Sequence, residues 1–283
     1  MSRTVYVNGE FVAEKDASIS IFDRGFLFAD AVYEVTSVVD GKLLDNAGHL
    51  ARLRRSLAEL KINSPATDDE IIAIQQQLVT DNALDEGCIY LQVSRGVADR
   101  DFAYASDLTP SLTMFTQKKN LRHPPQVDNG ISVVSMPDIR WRRRDIKTVG
   151  LLAQSLAKQQ AIDRGADDAW MLEDGYVTEG SSNNAFIVDA SGTIITRHLG
   201  NEILHGITRA SVLALVESDN IKYQERPFTI DEACAASEAF ATSATTFVWP
   251  VVKIDGRVIG NGKPGPVASK LREVYLQTAL ARA

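Results

Sequence analysis

A two-domain fold mixing α-helices and β-strands is predicted for this chain by three observations. Its 283 residues exceed the usual size of one domain and leave room for two cores. Short strand-like runs alternate with longer stretches of helical periodicity along the whole length. A proline pair, Pro124-Pro125, interrupts the pattern near the middle, and residues before proline favour an extended backbone. The expected division is a smaller N-terminal α/β domain over residues 1–120, a linker over 121–126 and a larger domain over 127–283.

Each element has a local reason. Val5-Tyr6-Val7, the Asn8-Gly9 turn, Phe11-Val12 and the Val- and Tyr-rich run over 31–39 read as a small sheet. Leu50, Leu53, Leu57 and Leu60 recur at helical spacing, with Arg52, Arg54 and Arg55 on the other faces. A second helix over 68–84 leads to a strand over 88–95. Beyond the prolines, 130–137 is strand-like, and a helix over 151–164 is closed by Gly165. The runs 169–172, 176–179 and 185–188, separated by Asp174-Gly175 and Gly180-Ser181-Ser182, predict a meander. Gly206-Ile207-Thr208-Arg209 opens a helix through Val216. A β-rich segment over 239–252, a hairpin at Asp255-Gly256 and a helix from Val267 complete the chain. No internal repeat or low-complexity tract is present.

Composition narrows the function. Thirty Lys and Arg against 37 Asp and Glu give a net charge of −7, a field that repels phosphate polymers and argues against a nucleic-acid binder. No apolar run reaches the roughly 18 residues that cross a bilayer, and the opening residues lack an apolar signal core, so a cytoplasmic location and no membrane partner are expected. Cys88 and Cys234 stand far apart, and His49, His123, His198 and His205 do not cluster with them. Neither a disulfide framework nor a metal site is expected.

Several residues carry chemistry on one local reading and none on the other. Lys147 precedes the apolar stretch Thr148-Val149-Gly150-Leu151-Leu152; burial favours a neutral, nucleophilic amine suited to Schiff-base formation, while a solvated strand-end lysine fits the same text. Glu179, before Gly180-Ser181-Ser182, is either a hairpin-end carboxylate in water or a group that keeps a heteroaromatic nitrogen protonated. Ile207 and Thr208 open either an ordinary helix or one whose free N–H groups hold an anion. Thr242-Ser243-Ala244-Thr245-Thr246 reads as strand or as further anion donors, and Arg52 as a solvated helical arginine or a bidentate phosphate ligand. Arg142-Arg143-Arg144 is flanked by Asp138 and Asp145 and reads as a solvated or site-lining strand. Arg100 is a surface ion pair or a receptor for a carboxylate, and Tyr33 a packed strand aromatic or a phenol in a pocket.

Taken in order, these blocks resemble the fold-type IV pyridoxal-phosphate enzymes, and most closely the D-amino-acid (D-alanine) aminotransferases. The resemblance runs nearly end to end, through Asp23-Arg24-Gly25-Phe26-Leu27-Phe28-Ala29-Asp30-Ala31-Val32-Tyr33-Glu34, His49-Leu50-Ala51-Arg52-Leu53, residues 89–96, Asp138-Ile139-Arg140-Trp141, Asp145-Ile146-Lys147, Thr178-Glu179-Gly180-Ser181-Ser182-Asn183, Gly206-Ile207-Thr208-Arg209 and Thr242-Ser243. It implies a larger domain with a barrel-like sheet and pyridoxal 5'-phosphate held between the domains. It makes Lys147 the Schiff-base lysine and proton shuttle, and gives Glu179 the pyridine nitrogen. Arg52, Ile207, Thr208, Ala244 and Thr245 hold the phosphate. Tyr33 binds the substrate carboxylate, with Arg100 reaching over from the second subunit of a homodimer. The implied reaction is ping-pong transfer from a D-amino acid, D-alanine foremost, to 2-oxoglutarate, giving pyruvate and D-glutamate.

The chain departs from the family pattern in places. Arg100-Asp101-Phe102 has Phe102 where the D-alanine enzymes carry histidine, and Phe247 and Trp249 replace smaller or polar groups near the phosphate loop. Arg144 adds a charge close to the lysine. A branched-chain L-amino-acid aminotransferase, an (R)-amine transaminase and an aminodeoxychorismate lyase share the implied fold and stand as alternatives.

Overall fold

Hairpin chemistry and strand alternation decide the N-terminal architecture in the computed structural model, which describes residues 3–283. Asn8 and Gly9 both take positive φ, 47° and 102°, the backbone that a two-residue hairpin turn requires. They join β1 (Thr4–Val7) to β2 (Glu10–Ala13). After a one-turn helix, α1 (Arg24–Phe28), come β3 (Ala31–Val39), the short β4 (Lys42–Leu43), α2 (Asn46–Leu60), α3 (Asp68–Asp81), β5 (Glu86–Ser94) and β6 (Ser111–Lys118). The strands form an antiparallel sheet in the order β2-β1-β6-β5-β3-β4. Thr67 and Glu70 cap α3 reciprocally. The helix stops short of the expected residue 84 because Ala83 takes φ 44°, outside the right-handed helical region.

Contacts divide the chain into two units. The first holds residues up to 120 together with 146–150 and 282–283; the second holds 121–145 and 151–281. Val32, Leu50, Leu53, Leu57, Leu91 and Val93 build the core of the first, and Ile146 packs into it. That one buried side chain explains why residues 146–150 keep company with the first unit although their neighbours in sequence belong to the second. Pro124 is extended, as expected before a proline, whereas Pro125 opens a helical turn, a position where its missing N–H costs nothing.

The second unit runs α4 (Pro125–Asn129), β7 (Ile131–Pro137), α5 (Leu152–Asp163), β8 (Asp168–Glu173), β9 (Tyr176–Gly180), β10 (Asn184–Val188), β11 (Ile194–Thr196), α6 (Ile207–Ser218), β12 (Tyr223–Glu225), α7 (Ile230–Ala235), β13 (Glu238–Ser243), β14 (Phe247–Ile254), β15 (Arg257–Val258) and α8 (Pro266–Arg282). Nine strands make one mixed sheet in the order β12-β11-β10-β13-β14-β7-β8-β9, with β15 paired to β14. The expected meander is corrected here. β8 and β9 pair antiparallel, but β10 pairs with β11 and β13 rather than with β9.

The same connection shows why the sheet curls. Only residues 181–183 separate β9 from β10, yet β13, β14, β7 and β8 lie between them in hydrogen-bonding order. In a flat sheet the two strands would stand about 24 Å apart, while the connection reaches about 14 Å at full stretch. The sheet therefore bends into a half-barrel, which brings β9 back to β10. Gly180 N donates to Asn183 O at 2.8 Å, and buried Asp168 accepts from Ser181 Oγ at 2.5 Å and Asn183 Nδ2 at 2.7 Å, pinning the turn. Trp170, Val177, Ile187, Phe228 and Val251 fill the core. Among the described residues no helix is long and apolar enough to cross a membrane.

Candidate active site

In the first unit the site grows from β3, whose side chains alternate between faces. Val32 and Glu34 face α2, while Tyr33 points to the other side. Residues 147–149 run beside this strand: Tyr33 N donates to Lys147 O at 3.0 Å, Val149 N to Ala31 O at 3.1 Å, and Lys147 N to Ser56 Oγ at 3.4 Å. With Ile146 buried beneath it, the Lys147 backbone is fixed on both flanks. Its ammonium lies 4.1 Å from the centre of the Tyr33 ring. Tyr33 stacks on Tyr90 at 5.4 Å, and Tyr90 on Phe115 at 4.8 Å. No hydrogen bond or ion pair engages Lys147 Nζ among the described residues, so the amine is restrained by an aromatic face and claimed by no carboxylate.

On the opposite face of β3, α2 presents a buried polar stripe at helical spacing: His49, Arg52 and Ser56. Arg52 grips Glu34 with two hydrogen bonds, Nε to Oε1 at 2.8 Å and Nη2 to Oε2 at 2.7 Å, and His49 Nδ1 meets Oε2 at 2.7 Å. Burial holds His49 below its ordinary value despite Glu34, so the neutral ring donates its Nδ1 proton to the carboxylate. Burial alone would raise Glu34; the charge and hydrogen bonds of Arg52, then the hydrogen bond from His49, outweigh it and hold Glu34 at about 2. A carboxyl depressed in the folded state adds stability that is present above its ordinary value of 4.5 and fades as pH falls through the folded value. Glu34→Gln is therefore expected to remove on the order of 3 kcal/mol of acid sensitivity across that window. Urea unfolding of both proteins at a series of acidic pH values checks this, and parallel stability curves would contradict it.

In the second unit, Glu179 is the penultimate residue of β9 and is 4% exposed. Its Oε1 accepts from Arg140 Nη1, and its Oε2 from Asn184 Nδ2 at 2.8 Å and Leu204 N at 3.0 Å. Burial pushes the carboxyl above its ordinary value, against the pull of Arg140 and the Leu204 N–H. A carboxylate with raised proton affinity is a strong acceptor for a protonated ring nitrogen. Arg140 also binds Asp138, Nε to Oδ1 at 3.0 Å and Nη2 to Oδ2 at 2.7 Å, and Thr178 Oγ1 donates to Asp138 at 2.7 Å.

Asn184 ties this carboxylate to the start of α6. Its Nδ2 also donates to Leu204 O at 3.0 Å, and its backbone pairs with Thr242 on β13. Gly206 is the N-cap of α6, and a Cβ there would collide with Asn184 Oδ1. The residue has to be glycine for the helix end to approach so closely. No side chain caps α6, which leaves the N–H groups of its first turn without helical partners. Thr208 is buried in that turn, and the turn from β13 to β14 carries Ala244 and Thr245. Thr242 Oγ1, on the same sheet face as Asn184, is buried with no partner among the described residues.

These features suit a phosphorylated pyridine aldehyde. In the first unit an unclaimed amine suits its carbonyl carbon; in the second, taken by itself, a buried carboxylate suits its ring nitrogen and an uncapped helix end with the orphaned Thr242 hydroxyl suits its phosphate. The first unit brings Lys147, Tyr33 and Arg52 onto the two faces of β3. In the second, Asn184 bonds Glu179 and lies against Gly206, which opens the helix carrying Ile207 and Thr208, and pairs with Thr242, two residues before Ala244 and Thr245.

Arg100 stands apart, exposed on the loop after β5, with the Phe28 and Phe102 rings 5.5 and 5.7 Å away. Arg144 is committed elsewhere: it is buried, with Nη1 on Glu173 Oε2 at 2.5 Å and Nε 3.5 Å from Asp138. Phe247 is fully buried against Tyr275, and Trp249 packs on the core of the second unit. Residue types and spacing assign no functional role to Glu34, His49, Tyr90, Arg140 or Asn184. The i, i+3 pairing of His49 with Arg52 and the Asp138-x-Arg140 alternation are the signals that carried it.

Comparison with known proteins agrees with this geometry. A family model described as Amino-transferase class IV matches residues 31–254. The D-alanine aminotransferase of Bacillus licheniformis is 39% identical over 277 residues, covering 98% of this chain and 97% of that protein. That of Staphylococcus aureus strain N315 is 37% identical over 272 residues, 96% of each. The solved structure of a T.th. branched-chain amino acid aminotransferase with pyridoxamine 5'-phosphate matches with a TM-score of 0.92 at 26% identity, covering 100% of this chain and 96% of that one. Fold and site together define a pyridoxal-phosphate aminotransferase, an enzyme that exchanges an amino acid for a 2-oxo acid. Within that class the chain belongs to the class IV aminotransferases.

Proposed function

We propose that this enzyme transfers the amino group of a D-amino acid, D-alanine foremost, to 2-oxoglutarate, releasing pyruvate and then D-glutamate in a ping-pong cycle. The observation that carries the reading is Lys147, an amine that no carboxylate engages among the described residues; Glu179, a deeply buried carboxylate of raised proton affinity in the second unit, supports it. The near full-length likeness to D-alanine aminotransferases supports the choice of donor. When bound, pyridoxal phosphate supplies an electron-withdrawing ring that stabilises negative charge at the substrate α-carbon.

The residues do the rest. Lys147 Nζ takes the α-proton and returns it at the cofactor's C4′ carbon, acting as base and then acid from one position. Glu179 would accept a hydrogen bond from the protonated ring nitrogen and keep it protonated, and Arg140 and Asn184 hold that carboxylate in place. Arg52, Ile207, Thr208, Ala244 and Thr245 hold the phosphate. The Glu34 carboxylate fixes the plane of the Arg52 guanidinium, and an oriented fork loses less freedom on gripping an anion. The Tyr33 hydroxyl receives the substrate carboxylate, and Arg100 does so on a second copy of the chain.

A homodimer follows from that role for Arg100. In the first unit Phe22, Phe26, Phe102 and Tyr104 are 47%, 67%, 79% and 47% exposed, an apolar surface of the kind that marks protein interfaces. Sedimentation at twice the 31.0 kDa chain mass is the expected result, and a monomer would remove Arg100 from the site.

Initial rates with 2-oxoglutarate and D-alanine, L-alanine or L-leucine test the activity, with the chirality of the glutamate product determined. D-Glutamate from D-alanine is expected. Turnover of L-leucine without D-alanine would move the enzyme to the branched-chain branch, which the similarity in fold also suggests.

A further inference from the structure

Arg272, in α8, carries a charge that no acidic side chain answers. It is 5% exposed. Its guanidinium donates to four main-chain carbonyls: Nη1 to Thr246 O at 2.6 Å and Val248 O at 3.1 Å, and Nη2 to Leu121 O and, at 3.2 Å, to Arg122 O. The Phe247 ring lies 5.4 Å away. No ion pair involves Arg272 among the described residues, and burial alone brings the guanidinium down to about 10. Buried charges are ordinarily paired with an opposite charge. Here carbonyl dipoles satisfy the donors and leave the net charge uncancelled.

The position of this cation is informative. Thr246 and Val248 flank Phe247, which holds φ at 57°. That conformation is strained for a bulky aromatic and persists only where the surroundings over-determine it. Bonds from one nitrogen to the carbonyls on either side of Phe247 supply that constraint. Ser243 Oγ and Thr246 Oγ1, 2.8 Å apart, close the same turn, whose tip is the half-buried pair Ala244-Thr245.

We propose that Arg272 is a positioning residue for the cofactor's phosphate: it holds the 243–247 turn in its strained shape, and the phosphate dianion is the counter-charge that its buried guanidinium lacks within the chain. This rests on the reading of Ala244 and Thr245 as phosphate ligands. It differs from the direct ligands in kind, because the four hydrogen bonds from its Nη1 and Nη2 all go to carbonyls and its action passes through the turn and through the field.

The test compares dissociation constants for pyridoxal phosphate and for pyridoxal, which lacks the phosphate, in the wild type, Arg272→Gln and Arg272→Lys. Far-UV circular dichroism monitors the fold. The wild type is expected to prefer the phosphorylated form, and Arg272→Gln to lose about tenfold or more of that preference, with pyridoxal binding nearly unchanged. Arg272→Lys, which keeps the charge with fewer donors, is expected to retain most of it. Equal weakening of both ligands in Arg272→Gln, or an unchanged preference, would overturn the proposal. Should the glutamine variant not fold, a lysine variant that folds yet loses the preference does the same. A wild type that binds both forms equally would instead refute the phosphate reading of the 243–247 turn.

Discussion

Lys147→Ala is expected to slow amino transfer by roughly ten-thousandfold or more, because in the proposed mechanism one side chain both bonds the cofactor and moves the proton. The structure also predicts what the change leaves alone. The Lys147 backbone is held by Tyr33 and Ser56, its neighbour Ile146 by the core, and its ammonium lies over the face of Tyr33. Loss of one partly exposed cation–π contact costs about 0.5–1 kcal/mol, so the unfolding midpoint should move little. Single-turnover rates with D-alanine, beside a denaturant titration, separate the two effects. A rate within tenfold of wild type would place the proton transfer on another group.

Glu179→Gln ranks second. The amide keeps an oxygen for Asn184 and Leu204 but loses the negative charge that a protonated ring nitrogen requires. Arg140 retains its two hydrogen bonds to Asp138, so the neighbouring network survives. A hundredfold to thousandfold fall in kcat is expected, roughly the size of effect found when a preorganised electrostatic partner of developing charge is removed. Steady-state kinetics with saturating D-alanine measure it. An unchanged kcat would mean that the ring nitrogen is held by something else.

These two residues are the easier part to read, because each sits in a short block whose order along the chain repeats a family pattern. Their supports are harder. His49 and Arg52 look like solvated residues on an amphipathic helix, since apolar periodicity finds the Leu50-Leu53-Leu57 face and says nothing of a second, polar face that is also buried. Arg140 stands two residues before the run Arg142-Arg143-Arg144, which reads as a solvated or site-lining strand, and only the structure shows three carboxylates, Asp138, Glu173 and Glu179, gathered around Arg140 and Arg144. Arg272 gives no local signal, because its acceptors are backbone carbonyls, which every sequence has. The pairing of β10 escapes a sequence reading for a related reason. Strand runs in succession suggest a meander, and only the closure of a long sheet on itself shows that the turn after Glu179 crosses to a different neighbour.

The most direct test of the central claim is the visible absorption of the cofactor-loaded enzyme while D-alanine, and separately L-leucine, is added without any 2-oxo acid. Loss of the cofactor's visible band with D-alanine alone is the predicted result, since the first half-reaction of the proposed cycle needs no acceptor. Loss with L-leucine alone, or no change with either amino acid, would contradict it.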